Sequence, residues 1–450
     1  MTGESPVSAR PGGGSGARLL DDVGVPAPAG PLEATSADFV DRARDIPEAR
    51  GFARTFLRTY ARSGRSGAPR AEPGPVVLAV LLARARSTTD EDTLLARAAV
   101  RRWAQDVLAR DVEQLGLHDG GLAGMLVGLR LGATLHPPLA TVAERVRGQL
   151  GARCAREPWR VADVGFADYD VVSGPAGVLL GLGVGMGMGV GAGGRIADDG
   201  AGSAAERAPV VRHLAGLCSG PGLGRLRIAE FCGQPWPARF MGRVNLGLAH
   251  GAPGVLLALA SAARAAGAAD HELHEPLAAT AAWLAARGGR DANGCPTWGP
   301  VAGGADGSSG GQRQGWCYGT PGVTWALWEA ARVLGDAALR RCAEDTFAAL
   351  AEQFDVDRHL FGPTAADRLG VCHGAAGVLA IADAFARHAG LPAAVGLRTR
   401  LTAHLRAESA ATSAPATGAD ATLLGLLGTH AVLLTAETGY RNWLPCLGLR

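Results

Sequence analysis

Lysine is absent from this 450-residue chain, so all 44 basic residues are arginine. That bias, beside the heavy alanine and glycine content, reads as genomic base composition rather than a physical demand. The arginines are offset by 42 Asp and Glu, and the formal net charge is only +2. That balance argues against nucleic acid or an anionic membrane surface as a partner. Eight cysteines are too sparse for a disulfide scaffold. The opening "MTGESPVSARPGGGSGARLL" lacks the apolar core of a signal peptide, and residues 1–30 are read as a flexible Gly/Pro/Ser-rich tail. The one long uncharged run, Val171–Gly194, is broken by alternating glycine and makes a poor membrane span. Its literal G-x-G-x-x-G, Gly189 to Gly194, has no β-α-β surroundings and is read as loop. These absences leave a soluble, cytoplasmic protein as the expectation.

What remains is 47% hydrophobic, enough for a large core, and it carries a repeat. Gly-x-x-Gly recurs at Gly121/Gly124, Gly174/Gly177, Gly251/Gly254, Gly319/Gly322, Gly374/Gly377 and Gly425/Gly428. The first glycines are 53, 77, 68, 55 and 51 residues apart. Such a period suits two helices and their loops per unit. An apolar run follows each motif, and amphipathic stretches such as "ALRRCAEDTFAALAEQF" lie between motifs. Buried helix then half-exposed helix, repeated, predicts an all-α fold, an α/α toroid of six to seven hairpins, with an open solenoid as the rival. Residues 31–450 are read as one domain. One more helix pair is expected within roughly residues 36–110. The glycines themselves are assigned to close packing.

In a ring, equivalent positions gather at one mouth. The two residues before each first glycine are Asp119-Gly120, Val172-Ser173, Ala249-His250, Cys317-Tyr318, Cys372-His373 and Leu423-Leu424. Three successive units therefore bring His250, Cys317 and the Cys372–His373 pair into register. Two thiols and an imidazole form a Cys₂His set that suits zinc, with the fourth position left for water or substrate. Adjacent side chains diverge by about 100° within a helix, so Cys372 and His373 can share an ion only on the turn before one. The alternative for either cysteine alone is a small buried hydrophobe, the fate assigned to Cys154, Cys218, Cys232, Cys295, Cys342 and Cys446. His250 as a fourth ligand is a further alternative.

The segments "NLGLAHGAPGV" (245–255), "GWCYGTPGV" (315–323) and "GVCHGAAGV" (370–378) resemble the signatures of the lanthionine synthetase C-like family, the lanthipeptide cyclases. "DYDVVSGPAGV" (168–178) and the tail ending "NWLPCLGL" fit as well, so the resemblance spans roughly residues 110–447. Residues 1–30 and a loop over 186–215 have no counterpart. The resemblance implies one zinc held by Cys317, Cys372 and His373, and Michael-type addition of a peptide cysteine thiol to dehydroalanine or dehydrobutyrine. The product is a lanthionine or methyllanthionine thioether. It also implies functional positions at Asp170, His250, Arg313 and Tyr318. Two features depart from the pattern: Leu424 stands where an acidic residue is common, and the stretch "GPVAGGADGSSGGQRQG" is unusually rich in glycine.

The chemistry asks for these residue types. A free thiol is only a few per cent ionised at neutral pH, and zinc removes its proton. Addition then creates an enolate that needs charge stabilisation and a proton. His250 is the candidate acid, Asp170 its orienting partner, and Arg313 a stabiliser of the enolate or a holder of Asp170. Tyr318 is a proton donor or a packing residue beside the zinc set, and Trp316 is read as wall. No phosphate loop or kinase-like signature is found, so a separate Ser/Thr dehydratase is expected to supply the dehydrated precursor peptide. Two rival readings stay open. One is a transferase that adds a small thiol such as glutathione to dehydroamino acids; the other is a non-catalytic zinc-containing scaffold.

Overall fold

The first glycine of each of the six motifs sits at the N-terminus of a helix. The computed structural model describes residues 45–63, 71–184, 200–229, 240–267, 271–303, 313–411 and 421–450. In chain order its helices are α1 (Pro47–Ser63), α2 (Gly74–Arg84), α3 (Asp90–Leu108), α4 (Leu122–Ala133), α5 (Leu139–Cys154), α6 (Pro175–Gly183), α7 (Gly200–Cys218) and α8 (Ala252–Ala266). There follow α9 (His274–Ala285), α10 (Thr320–Leu334), α11 (Ala337–Gln353), the short α12 (Val356–His359) and α13 (Ala365–Leu369), then α14 (Ala375–His388), α15 (Pro392–Ala411) and α16 (Leu426–Thr438). A two-stranded hairpin, β1 (Gly289–Arg290) with β2 (Pro296–Thr297), precedes α10.

Helices α2, α4, α6, α8, α10, α14 and α16 form the inner ring, each packed on the next, and α16 returns to α2 to close it. Their burial is nearly all-round: almost every residue of α4, α8 and α10 is removed from solvent. The outer helices α3, α5, α7, α9, α11 and α15 pack each on its preceding inner helix. Those whose side chains are described bury one stripe, as Ala96, Val100, Trp103 and Val107 do on α3. The fold is an α/α toroid. Residues 47–108 hold three helices, not the single pair expected. The extra one, α1, packs on α16 and supplies the seventh outer helix from the opposite end of the chain. A second expectation also fails: residues 200–215 of the supposed loop are helical in α7. The tail 1–30, the Gly189–Gly194 motif and Cys232 lie outside the described residues.

Packing accounts for the second glycine of every motif. A Cβ there would fall 1.9–2.5 Å from the carbonyl oxygen of Leu117, Val171, Leu248, Trp316, Val371 or Thr422, each just upstream in the same unit. Such contacts forbid any side chain. The pre-helix segments are then tied to one another around the mouth. The amides of His118, Val171, Leu248, Cys317 and Cys372 donate to the carbonyls of Val172, Ala249, Cys317, Cys372 and Leu423. At the closing seam a buried carboxylate takes over. Glu72 accepts from the Thr422 amide at 3.0 Å and the Gly74 amide at 2.9 Å. The C-terminal residues fill the middle of the ring. His118 Nε2, Trp316 Nε1 and Trp325 Nε1 donate to the carbonyls of Cys446, Leu447 and Gly448. Among the described residues no helix is long and apolar enough to cross a membrane.

Candidate functional site

The belt of hydrogen bonds fixes the turns from which the candidate side chains project. Gly319, at φ 94°, starts α10 in a conformation open to glycine. A Cβ there would meet Gln314 Oε1 at 2.5 Å. Gln314 in turn accepts from the Thr320 amide at 2.8 Å and donates to Thr297 Oγ1 at 3.2 Å. The Cys317 turn is thereby clamped between α10 and the β1–β2 hairpin. On the neighbouring turn Cys372 and His373 leave the backbone just before α14, and the Cys317 amide donates to the Cys372 carbonyl at 3.1 Å.

Donor atoms of Cys317, Cys372 and His373 all lie within 4.8 Å of one another. Both cysteines are buried, while the His373 side chain is one-third exposed, so the group opens toward solvent on its imidazole side. The two thiols are driven apart in acidity. The contact with Cys317 pulls Cys372 below the ordinary thiol range, with His373 assisting. Burial and the neighbouring Cys372 push Cys317 well above the ordinary thiol range. His373 is raised by its hydrogen bond to Cys372. Two soft sulfurs and an imidazole at this spacing fit a thiophilic dication. His373 Nδ1 also lies 3.9 Å from Asp367 Oδ1, the kind of outer partner that orients a ligating imidazole.

His250 hangs from the turn before α8. Its Nδ1 is 2.5 Å from Asp170 Oδ2. A carboxylate can only accept there, so Nδ1 carries the proton. Asp170 Oδ1 is itself held by the amides of Ser173 and Gly174, both at 2.8 Å, at the start of α6. Phe166 stacks on the His250 ring at 4.8 Å. Burial pulls the imidazole pKa down, but the Asp170 carboxylate outweighs it, and His250 stands above its ordinary value. Cys372 and His373 are close enough to act on that balance electrostatically.

Tyr318 Oη accepts from Asn245 Nδ2 at 2.9 Å, and Asn245 Oδ1 holds the Gly247 amide at 2.7 Å. The tyrosine is thus locked onto the turn that bears His250. Arg313 does not hold Asp170; it donates to the Asp367 carbonyl at 3.2 Å and lies over the Phe361 ring at 4.5 Å. Its charge still acts on Cys317 and His373. Trp316 is fully buried wall. Asn245, Phe166 and Asp367 escape the sequence reading. Asn245 stands inside the segment "NLGLAHG" but has no repeat register, and Asp367 reaches the site from α13, outside the repeat.

A second group, Asp291, Cys295 and His359, also brings donor atoms within 4.8 Å. Its chemistry does not suit a metal. Asp291 Oδ1 is taken up by the Asn293 and Cys295 amides in the β1–β2 turn. Both ring nitrogens of His359 face N–H donors, from the Asp355 amide and from Arg358 Nε, each at 3.1 Å. Asp291 Oδ2 is buried without a hydrogen-bond partner, but the Arg358 guanidinium against the His359 ring repels a cation. The cluster instead braces the metal-candidate loop, because the Gln314 amide donates to the His359 carbonyl. Cys295 is buried and pushed up to about 11, as expected of a packing cysteine. Cys154, Cys218 and Cys446 are likewise buried and free, while Cys342 is half-buried and free.

Residues 229–444 match the family model of the lanthionine synthetase C-like proteins. The fold is similar to that of a solved structure of nisin cyclase, with a TM-score of 0.67 and 18% sequence identity, covering 90% of this chain and 98% of that one. No curated protein sequence matches the chain.

Proposed function

Because this chain belongs to the lanthionine synthetase C-like family, we propose that it is a zinc-dependent cyclase that closes thioether rings in a dehydrated precursor peptide. The observation that carries this reading is the meeting of two sites at one mouth: the Cys317–Cys372–His373 group, and the His250–Asp170 pair close enough to sense its charge. When bound, zinc supplies the Lewis acidity that makes a peptide cysteine a thiolate at neutral pH.

The chain's own groups supply the rest. The peptide sulfur bonds to the β-carbon of dehydroalanine or dehydrobutyrine, the double bond's π pair moves toward the carbonyl, and the resulting enolate takes a proton at the α-carbon. His250 Nε2 delivers that proton, since Asp170 holds Nδ1–H and favours the charged ring. The thiol's proton replaces the one delivered, so the peptide neither gains nor loses atoms. Tyr318, anchored by Asn245, fixes the His250 turn against the thiol group. Arg313 contributes positive charge near the nascent enolate. We read residues 31–450 as one cyclase domain acting in a reducing compartment, the cytoplasm, on peptide prepared by a separate Ser/Thr dehydratase.

The test is incubation of the zinc-loaded protein with a dehydrated cysteine-containing peptide. Ring closure consumes free thiols at unchanged peptide mass. A mass gain equal to glutathione, when that thiol is present, would assign small-thiol transfer instead. Persistent thiols with retained peptide or dehydratase binding would assign the scaffold reading.

A further inference from the structure

Five large apolar side chains stand exposed among the described residues: Leu94, Leu108, Val161, Phe361 and Leu424. Two of them, Leu424 and Phe361, lie on segments tied to those that carry the thiol group. Leu424, 58% exposed, occupies in its unit the place held by His250, Tyr318 and His373 in theirs, directly before the first motif glycine. The glycines that follow His373 and Leu424 share one extended conformation, φ −114° and ψ −169° at Gly374, φ −118° and ψ 166° at Gly425. The turns are bonded to each other, since the Cys372 amide donates to the Leu423 carbonyl at 2.9 Å. On the other flank Phe361, 44% exposed, lies under Arg313, which reaches the Asp367 carbonyl, and Asp367 is the acidic neighbour of His373.

Leaving two large apolar groups in water beside the thiol group costs free energy that a bound apolar partner returns. We infer that Leu424 and Phe361 form an apolar lip that determines specificity: they favour peptides carrying a large apolar side chain, such as Leu or Phe, next to the reacting cysteine. The inference rests on the cyclase reading and deepens it by naming the substrate class. The contact is made both before and during addition, so it acts on KM and leaves kcat nearly unchanged.

Two dehydrated peptides identical except for Leu or Ser beside the cysteine provide the test. The wild-type protein is expected to cyclise the Leu peptide with a KM about tenfold lower. Leu424→Ser should erase most of that advantage, leave kinetics on the Ser peptide unchanged, and keep the zinc content and helical signal of the wild type. Leu424→Met should restore the preference, and Phe361→Ser should reduce it. Equal KM values for the two peptides with the wild-type protein, or an equal loss on both with Leu424→Ser, overturns the lip. If neither peptide loses thiols with any form of the protein, the cyclase reading fails by itself. Fluorescence anisotropy of the labelled peptides then still decides the lip: tighter binding of the Leu peptide, lost in Leu424→Ser, upholds it, and equal binding overturns it.

Discussion

Asp170 Oδ2 sits 2.5 Å from His250 Nδ1 although the two residues are 80 positions apart. The toroid makes that contact, because the Val171 amide donates to the Ala249 carbonyl and locks the two turns in register. His250→Ala is expected to retain zinc and fold while cyclisation slows by about 10²–10⁴. Metal analysis beside a thiol-consumption assay checks both halves. Unchanged turnover would remove His250 from the mechanism.

The same pair sets a pH dependence. The folded-state pKa of His250 is raised, because Asp170 favours the charged ring more than burial opposes it. The proton-donating form therefore dominates below that raised value and is lost as pH climbs through it. Turnover of zinc-loaded protein should show a descending limb at a pH above the ordinary histidine value of about 6.5. Asp170→Asn should move this limb downward, since an amide does not favour imidazolium as a carboxylate does. A limb unmoved by that substitution would assign it to another group.

Zinc retention separates the two Cys/His groups. Cys317→Ala and Cys372→Ala should each drop bound zinc from about one equivalent per chain to near zero. Cys295→Ala and His359→Ala should leave it unchanged, because the Arg358 guanidinium beside the His359 ring opposes a cation there. Atomic emission on dialysed protein reads the result directly. Asp367→Asn, which removes the charge beside His373 and also alters the Thr364 capping box of α13, should weaken zinc binding about 10–100-fold without abolishing it.

The parts of this arrangement written in the repeat were legible in the sequence; the rest depended on long-range closure. Six glycine pairs marked six inner helices, because each second glycine faces a carbonyl oxygen that excludes any side chain. The seventh inner helix, α2, opens with "AEPG" and keeps only Gly74, so no pair announces it. The role of α1 was invisible for a different reason: its partner α16 lies at the far end of the chain. Register also put Cys317, Cys372, His373 and His250 at one mouth. It said nothing of Asp367, Phe166 or Asn245, which reach the site from loops and short helices that do not repeat. Glu72 reads as an ordinary surface acid in sequence, yet it is buried and bridges the closing seam through two amides.

Acid should loosen the ring before it protonates most carboxylates. His118, His359 and His430 are buried, and desolvation brings each down to about 4. Their unfolded value is about 6.5. The unfolded chain thus binds more protons between those limits. The contribution of these residues is fully present above about pH 6.5 and is lost as pH falls toward 4, by about 3 kcal/mol for each. Urea unfolding at stepped pH measures the slope. His430→Phe keeps the stacking with Phe52, whose ring centroid lies 3.7 Å away, and should flatten the slope by one residue's share. A stability unchanged from pH 7 to 5 would show that these rings are not neutral in the folded protein.

Gly377 links the packing rule to the chemistry. A Cβ there would fall 1.9 Å from the Val371 carbonyl oxygen and 2.7 Å from Trp316 Cβ. Val371 adjoins Cys372, and Trp316 adjoins Cys317, so relief of either clash moves a thiol. Gly377→Ala is expected to cost about 2–4 kcal/mol, as a forced overpacking of a dense interior does. It should also weaken zinc binding, although residue 377 touches no ion. Gly148, on the exposed side of α5, has no atom within 4 Å of the place a Cβ would take and serves as the control. Gly148→Ala should stabilise the helix by about 0.5–1 kcal/mol and leave zinc unaffected. Chelator competition on both variants separates a general loss of stability from displaced thiols: Gly377→Ala should lose zinc at chelator concentrations where its helical signal is still that of the folded protein. Retention of wild-type affinity in that variant would mean that the turn before α14 absorbs the added methyl without moving Cys372.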